Sequence, residues 1–129
     1  MKRPVRTTVR VAGAALLLLA LTAAVRPTIF NQTIGGLWEV SRANGARRAV
    51  CIPDPVVLAQ FEHLRANCAR DIVRDQQRHA EIHYTCASGA FGQSTVDLIT
   101  PRALRIETQG ISGNAPFHYV LQARRVGNC

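Results

Sequence analysis

Lysine is almost missing from this chain of 129 residues: Lys2 is the only one, and every later basic residue of full charge is an arginine. Of the sixteen Lys and Arg residues, four stand in the first ten positions with no acid among them. From Val25 onward twelve arginines face eight acids, a net charge of +4 rather than the +8 of the whole chain. These arginines are scattered, and most have acids nearby, as in RDIVRD. A nucleic-acid reader needs a basic patch or stripe carried on a recognisable motif. Neither is present, so no nucleic-acid partner is expected.

Also missing is an apolar run long enough to span a bilayer. Val11 to Val25 forms fifteen apolar or small residues, preceded by Lys2, Arg3, Arg6 and Arg10. A helix of that length reaches about 22 Å against the ~30 Å of a hydrocarbon core. A basic head before a short apolar run is the order of a secretory signal. The expected organisation is a signal peptide over 1–24, cut after Ala24, an exposed leader over 25–35, and one β-rich domain over 36–129. The expected location is the periplasm. The alternative is an inner-membrane protein held by this one uncleaved segment, which is then its only membrane contact. No cysteine near the apolar run offers a lipid attachment point, and no arginine pair in the head marks the twin-arginine route.

A third absence is the C-x-x-C spacing. Cys51, Cys68, Cys86 and Cys129 are 17, 18 and 43 residues apart, which excludes a redox-active pair and a zinc ribbon. An even count in an exported chain reads as two disulfides. Of the three pairings, Cys51 with Cys68 and Cys86 with Cys129 is favoured here. The first closes a short local excursion, and the second staples the last residue to an interior strand.

Catalytic signatures are lacking too. There is no G-x-S-x-G elbow around Ser88, no phosphate-cradling glycine loop and no H-E-x-x-H. Asp54, Asp71, Asp75 and Asp97 show no paired arrangement, and each cysteine is better used in a disulfide than as a nucleophile. The chain therefore reads as a non-enzyme without a cofactor.

What is abundant is period-two alternation, the mark of half-buried strands. LWEVSR (37–42) turns Trp38 inward, and Asn44-Gly45 suits a tight turn into ARRAVCI (46–52). PDPVVLAQFEHL (53–64) changes period: Asp54 can cap, Pro55 fits a first helical position, and Val57, Leu58 and Phe61 recur at near-helical spacing. CARDIVRD, HAEIHYTC, STVDLIT, LRIETQ and FHYVLQARRV then follow as strands with hairpin-length links. The predicted fold class is mainly β: an antiparallel meander, a curled sheet or half-barrel, with one short α-helix and two disulfides.

HAEIHYTC (79–86) resembles half a metal site. As a strand it places His79, Glu81, His83 and Thr85 on a wet face and Ile82, Tyr84 and Cys86 on a buried one. His79 and His83 are then about 13 Å apart, too far to share an ion whose bonds to nitrogen are ~2.1 Å. His79 with Glu81, or Glu81 with His83, roughly 7 Å apart, can share an ion if a third ligand such as His118 joins from another strand, and Glu81, His83 and His118 are the metal candidates. The wet-strand reading is preferred to them. Trp38, Phe61, Tyr84, Phe91, Phe117 and Tyr119 are core candidates, with the lining of an apolar ligand cavity as the alternative.

GLWEV, then CI with a proline and a short helix, then ANC, YTC and a final ARRVGNC form an ordered set. This set resembles domain-of-unknown-function family 3617, small exported bacterial proteins, over about residues 35–129. The stretch between GLWEV and the first cysteine is shorter here than is usual in similar proteins, so a surface built from that insertion is missing. The resemblance implies a periplasmic, β-rich, disulfide-stapled domain and supplies no catalytic residues. The expected function is contact with another protein or with the cell-envelope surface. The alternatives are a small carrier of an apolar ligand and a metal-binding module.

Overall fold

The structure, a computed structural model, describes residues 26–129. The signal peptide expected over 1–24 lies outside the described residues. The expected mainly β architecture is present: seven antiparallel strands form one unclosed sheet. They are β1 (Gly36–Arg42), β2 (Arg47–Ile52), β3 (Cys68–Asp75), β4 (His79–Cys86), β5 (Phe91–Thr100), β6 (Ala103–Ser112) and β7 (Ala115–Gly127). Their spatial order is β2-β1-β7-β6-β5-β4-β3. Strands β3 to β7 form an unbroken meander, and the β1–β2 hairpin is added beyond β7. The two edge strands, β2 and β3, are therefore consecutive in sequence but lie at opposite ends of the sheet.

The segment joining those edges crosses the concave face. Residues Pro55–His63 form a 3₁₀ helix rather than the α-helix expected from spacing. Asp54 caps its start by accepting from the Val56 N–H at 3.1 Å, with Pro55 in the first turn. The break comes at Gln60, whose backbone is non-helical (φ −119°, ψ 39°). Its buried amide donates to the carbonyls of His63 and Ala66 and accepts from Arg70, closing the turn with its own side chain. Ser94 donates to the Ala59 carbonyl and sits 2.8 Å from the Thr108 hydroxyl, pinning the 3₁₀ segment to β5 and β6.

Alternation sorts the core as the sequence predicts. Trp38 and Val40, Ala80, Ile82 and Tyr84, Val96 and Leu98, Leu104 and Ile106, and Leu121 and Ala123 all face the concave side and are buried. Val56, Leu58, Ala59 and Phe61 of the 3₁₀ segment fill that concavity. Gly92 and Gly110 face each other across β5 and β6. A Cβ on Gly110 would fall 2.1 Å from the Phe91 carbonyl, and one on Gly92 would fall 2.5 Å from the Tyr84 ring. These two glycines let the Tyr84 and Phe117 rings fold over the backbone, a device that restores apolar cover where a strand has no side chain.

Three further expectations are corrected. The leader over 25–35 is not uniformly exposed: Thr28–Asn31 makes one α-helical turn, α1, and buries Ile29 and Phe30 in the core. Two adjacent large apolar residues cost too much in water to leave a short tail free. The turn is tethered by Thr28, which donates from its N–H to Asp75, and by the Trp38 indole, which donates to the Ile34 carbonyl at 3.1 Å. Second, two strands are longer than the stretches STVDLIT and LRIETQ read from alternation: β5 begins at Phe91 and β6 runs to Ser112.

Third, the disulfides are Cys51–Cys129 and Cys68–Cys86, not Cys51–Cys68 and Cys86–Cys129. Cys51 and Cys68 lie on opposite edge strands, with five strands between them. Cys68 and Cys86 are direct cross-strand partners in the β3–β4 register. Leu37 of β1 pairs with Cys51 on one side and Gly127 on the other, so the chain end and β2 flank the same residue. The Cα atoms of Cys51 and Cys129 are 5.5 Å apart, within the range that a disulfide spans.

Candidate functional site

The convex face holds the residues singled out for metal binding, and it keeps them apart. Glu81 and His83 are neighbours on β4, with His83 Nε2 3.7 Å from a Glu81 oxygen. His118 lies three strands away, by the register His83–Gln93–Gln109–His118, or about 14 Å. Each group already has a partner: Glu81 accepts from Gln93 at 2.7 Å, and His118 Nε2 is 3.1 Å from Glu107. The His118 and Arg105 contacts hold the Glu107 carboxyl below its ordinary value. No cluster of three or more His, Cys, Asp or Glu with metal-holding geometry occurs among the described residues.

The six aromatics named as core candidates separate by face. Trp38, Phe61 and Tyr84 are buried on the concave side, Phe117 and Tyr119 are half-buried at its rim, and Phe91 is 50% exposed on the convex side. The rim carries a connected set of groups. His63 Nδ1 lies 3.0 Å from the Tyr84 hydroxyl, and its ring meets Phe117 edge-on. Tyr119 donates to Glu62 at 2.6 Å, and the Arg42 guanidinium stacks 3.9 Å above the Tyr119 ring. His63 Nε2 is buried without a hydrogen-bond partner.

Burial pushes the Tyr84 hydroxyl up to about 12, with the Glu62 charge adding to the rise. Burial, then the hydrogen bond to Glu62, pushes Tyr119 well above the ordinary tyrosine value. A tyrosine whose folded pKa is raised contributes stability that is complete below its unfolded pKa of about 10 and is lost as pH rises through the folded value. These are the chain's two tyrosines, so absorbance near 295 nm reads them alone. Stability is expected to be insensitive to tyrosine ionisation below pH ~10 and to fall toward pH ~12, with no tyrosinate before unfolding begins. Ordinary tyrosinate formation in the folded chain near pH 10 would contradict the burial described here.

From this rim two adjoining depressions run between β2 and the 3₁₀ segment. One, about 470 Å³, is lined by Val40, Arg42, Arg48, Phe61, Glu62 and Leu121 among others. The other, about 780 Å³, is lined by Arg48 to Cys51 of β2 and by Phe61 to Ala66. They share Arg48, Phe61 and Glu62, and so form one groove. Its floor is partly apolar, and its walls carry Arg42, Arg47, Arg48 and Arg65. The Arg48 guanidinium lies 5.1 Å from the Phe61 ring centroid, a cation–π distance. Glu62 is the one acid lining the groove, and it is engaged by Tyr119 and by Arg42 at 3.6 Å.

Sequence reasoning singled out none of Arg42, Arg48, Glu62, His63 and Arg65. The pair Arg47-Arg48 was visible, but nothing in the chain says that its strand is an edge or that the 3₁₀ segment lies opposite. Compared with known proteins, the chain matches no protein-family model, no curated protein and no solved structure.

Proposed function

We propose that this chain is an exported, non-catalytic domain of the bacterial periplasm that binds another protein. The observation that carries this reading is the arginine-walled groove beside an unpaired sheet edge, a surface equipped to receive a chain. Both disulfides fit an oxidising compartment, where such bonds form and persist. The basic head and short apolar run before Arg26 support export. The resemblance to domain-of-unknown-function family 3617 belongs to this proposal, and rests on the order of the cysteines with the GLWE and R-x-G-x-C motifs.

The test is photocrosslinking in cells that export the full chain. A photoreactive residue is placed in turn at Ala49 and Arg65 beside the groove, at Val73 on the opposite edge and at Phe91 on the convex face. A discrete adduct of higher mass from at least one face is the expected result. Only the uncrosslinked chain at all four positions would overturn the binding reading.

A further inference from the structure

The two edges of the sheet are not equivalent. On β3 the register slips between Ile72 and Arg74, so Val73 bulges out of the ladder and is 54% exposed. That strand also alternates charge in Arg70, Asp71, Arg74 and Asp75. A bulge that breaks the ladder is a standard guard against an added strand. Edge β2 has no such guard: its register against β1 is regular from Arg47 to Ile52. Its charge is of one sign, from Arg47 and Arg48.

The outward hydrogen-bonding groups of β2 follow from the hairpin. Arg42 N–H donates to the Ala46 carbonyl and Gly45 N–H to the Arg42 carbonyl, with Gly45 at φ 84°. This is a three-residue loop with a glycine bulge, whose closing pair is bonded. Bonded and unbonded pairs alternate from there, so Arg48 and Val50 bond to β1. Arg47, Ala49 and Cys51 turn their N–H and C=O groups to the open side, along the groove.

We infer that β2 receives an extended acidic segment of a protein partner as an eighth strand, and this rests on the binding reading above. Main-chain groups of Arg47, Ala49 and Cys51 supply the ladder. Arg48, on one wall, and Arg65, opposite it, have no carboxylate partner among the described residues, and receive the acids. Val50, Phe61 and Leu64 offer an apolar floor to alternate side chains. A second copy of this chain is the wrong occupant: antiparallel pairing of β2 with itself about Ala49 sets Arg47 opposite Cys51 and Arg48 opposite Val50, and β2 carries no acid to meet either arginine.

The probe is a short peptide alternating valine with glutamate, titrated against the disulfide-bonded chain, beside a control with lysine for glutamate. The acidic peptide is expected to bind, more weakly as salt rises, and the lysine peptide is not. Ala49→Pro removes one outward donor and none of the bonds to β1, so the melting temperature should hold. Binding should fall about tenfold or more, because a main-chain bond is lost and the peptide carbonyl is left without a donor. Arg48→Glu and Arg65→Glu test the charge arm should the proline variant misfold, and each should weaken binding about tenfold.

Full binding by a folded Ala49→Pro, equal binding of the lysine peptide, or no binding of the acidic peptide would each overturn the inference. So would adsorption to phosphatidylglycerol vesicles without peptide binding, which would make the arginines a lipid contact. Crosslinks confined to Val73 or Phe91 would leave the binding reading standing and overturn the assignment to β2.

Discussion

Replacing Cys51 and Cys129 together by serine is expected to lower stability by ~4.5 kcal/mol, against ~3 kcal/mol for the Cys68 and Cys86 pair. The asymmetry comes from loop length. The first disulfide closes a sequence separation of 78 residues and the second only 18, and the entropy removed from the unfolded chain grows with the logarithm of that length. For a domain of this size the larger loss is a major share of total stability. The measurement is denaturant unfolding of the two paired variants, with tryptic mapping of the unreduced parent chain. The map should join peptide 49–65 to 126–129 and peptide 66–70 to 79–102. A map joining 49–65 to 66–70 would restore the local pairing and refute the strand order described here.

Truncating Trp38 to alanine is expected to cost about 3 to 5 kcal/mol. Trp38 is fully buried on the concave side of β1, a strand bonded to β2 on one flank and β7 on the other. Its indole N–H is the donor that holds the Ile34 carbonyl, and with it the segment that follows α1. The substitution thus opens a cavity under the sheet and frees the tether of Ile29 and Phe30. Phe91→Ala is the control. That ring is half-exposed on the convex face, so its loss should cost under about 1 kcal/mol. Equal losses for the two variants would mean that Trp38 does not occupy the core.

The pattern of Trp38, Val40, Ile82, Tyr84, Val96, Leu98, Leu104 and Ile106 was readable because a strand's side chains alternate faces, a rule that needs only the strand itself. The wet face of HAEIHYTC was readable for the same reason. Ile29 and Phe30 were misjudged because a two-residue apolar pair in a polar segment has no period to detect. The helix over 53–64 was located by its cap and its proline. Its 3₁₀ form was not readable, because the break depends on the Gln60 side chain reaching His63, Ala66 and Arg70.

The candidate site was the least legible part. Arg42, Arg48, Glu62, His63, Arg65 and Tyr119 come from four separate segments, and no spacing rule links them. Their meeting depends on a crossover that carries the chain from one sheet edge, over the concave face, to the other.

By itself, then, the sequence determined the strands, their inner and outer faces, the first hairpin and the presence of two disulfides, all of which follow from local geometry and cysteine count. The tertiary structure alone decided the order of the strands, the partners of the cysteines and the groove beside β2. Those depend on which distant segments pack together, and a small closed set of hydrogen-bonded edges and buried side chains selects one arrangement that no short window of residues encodes.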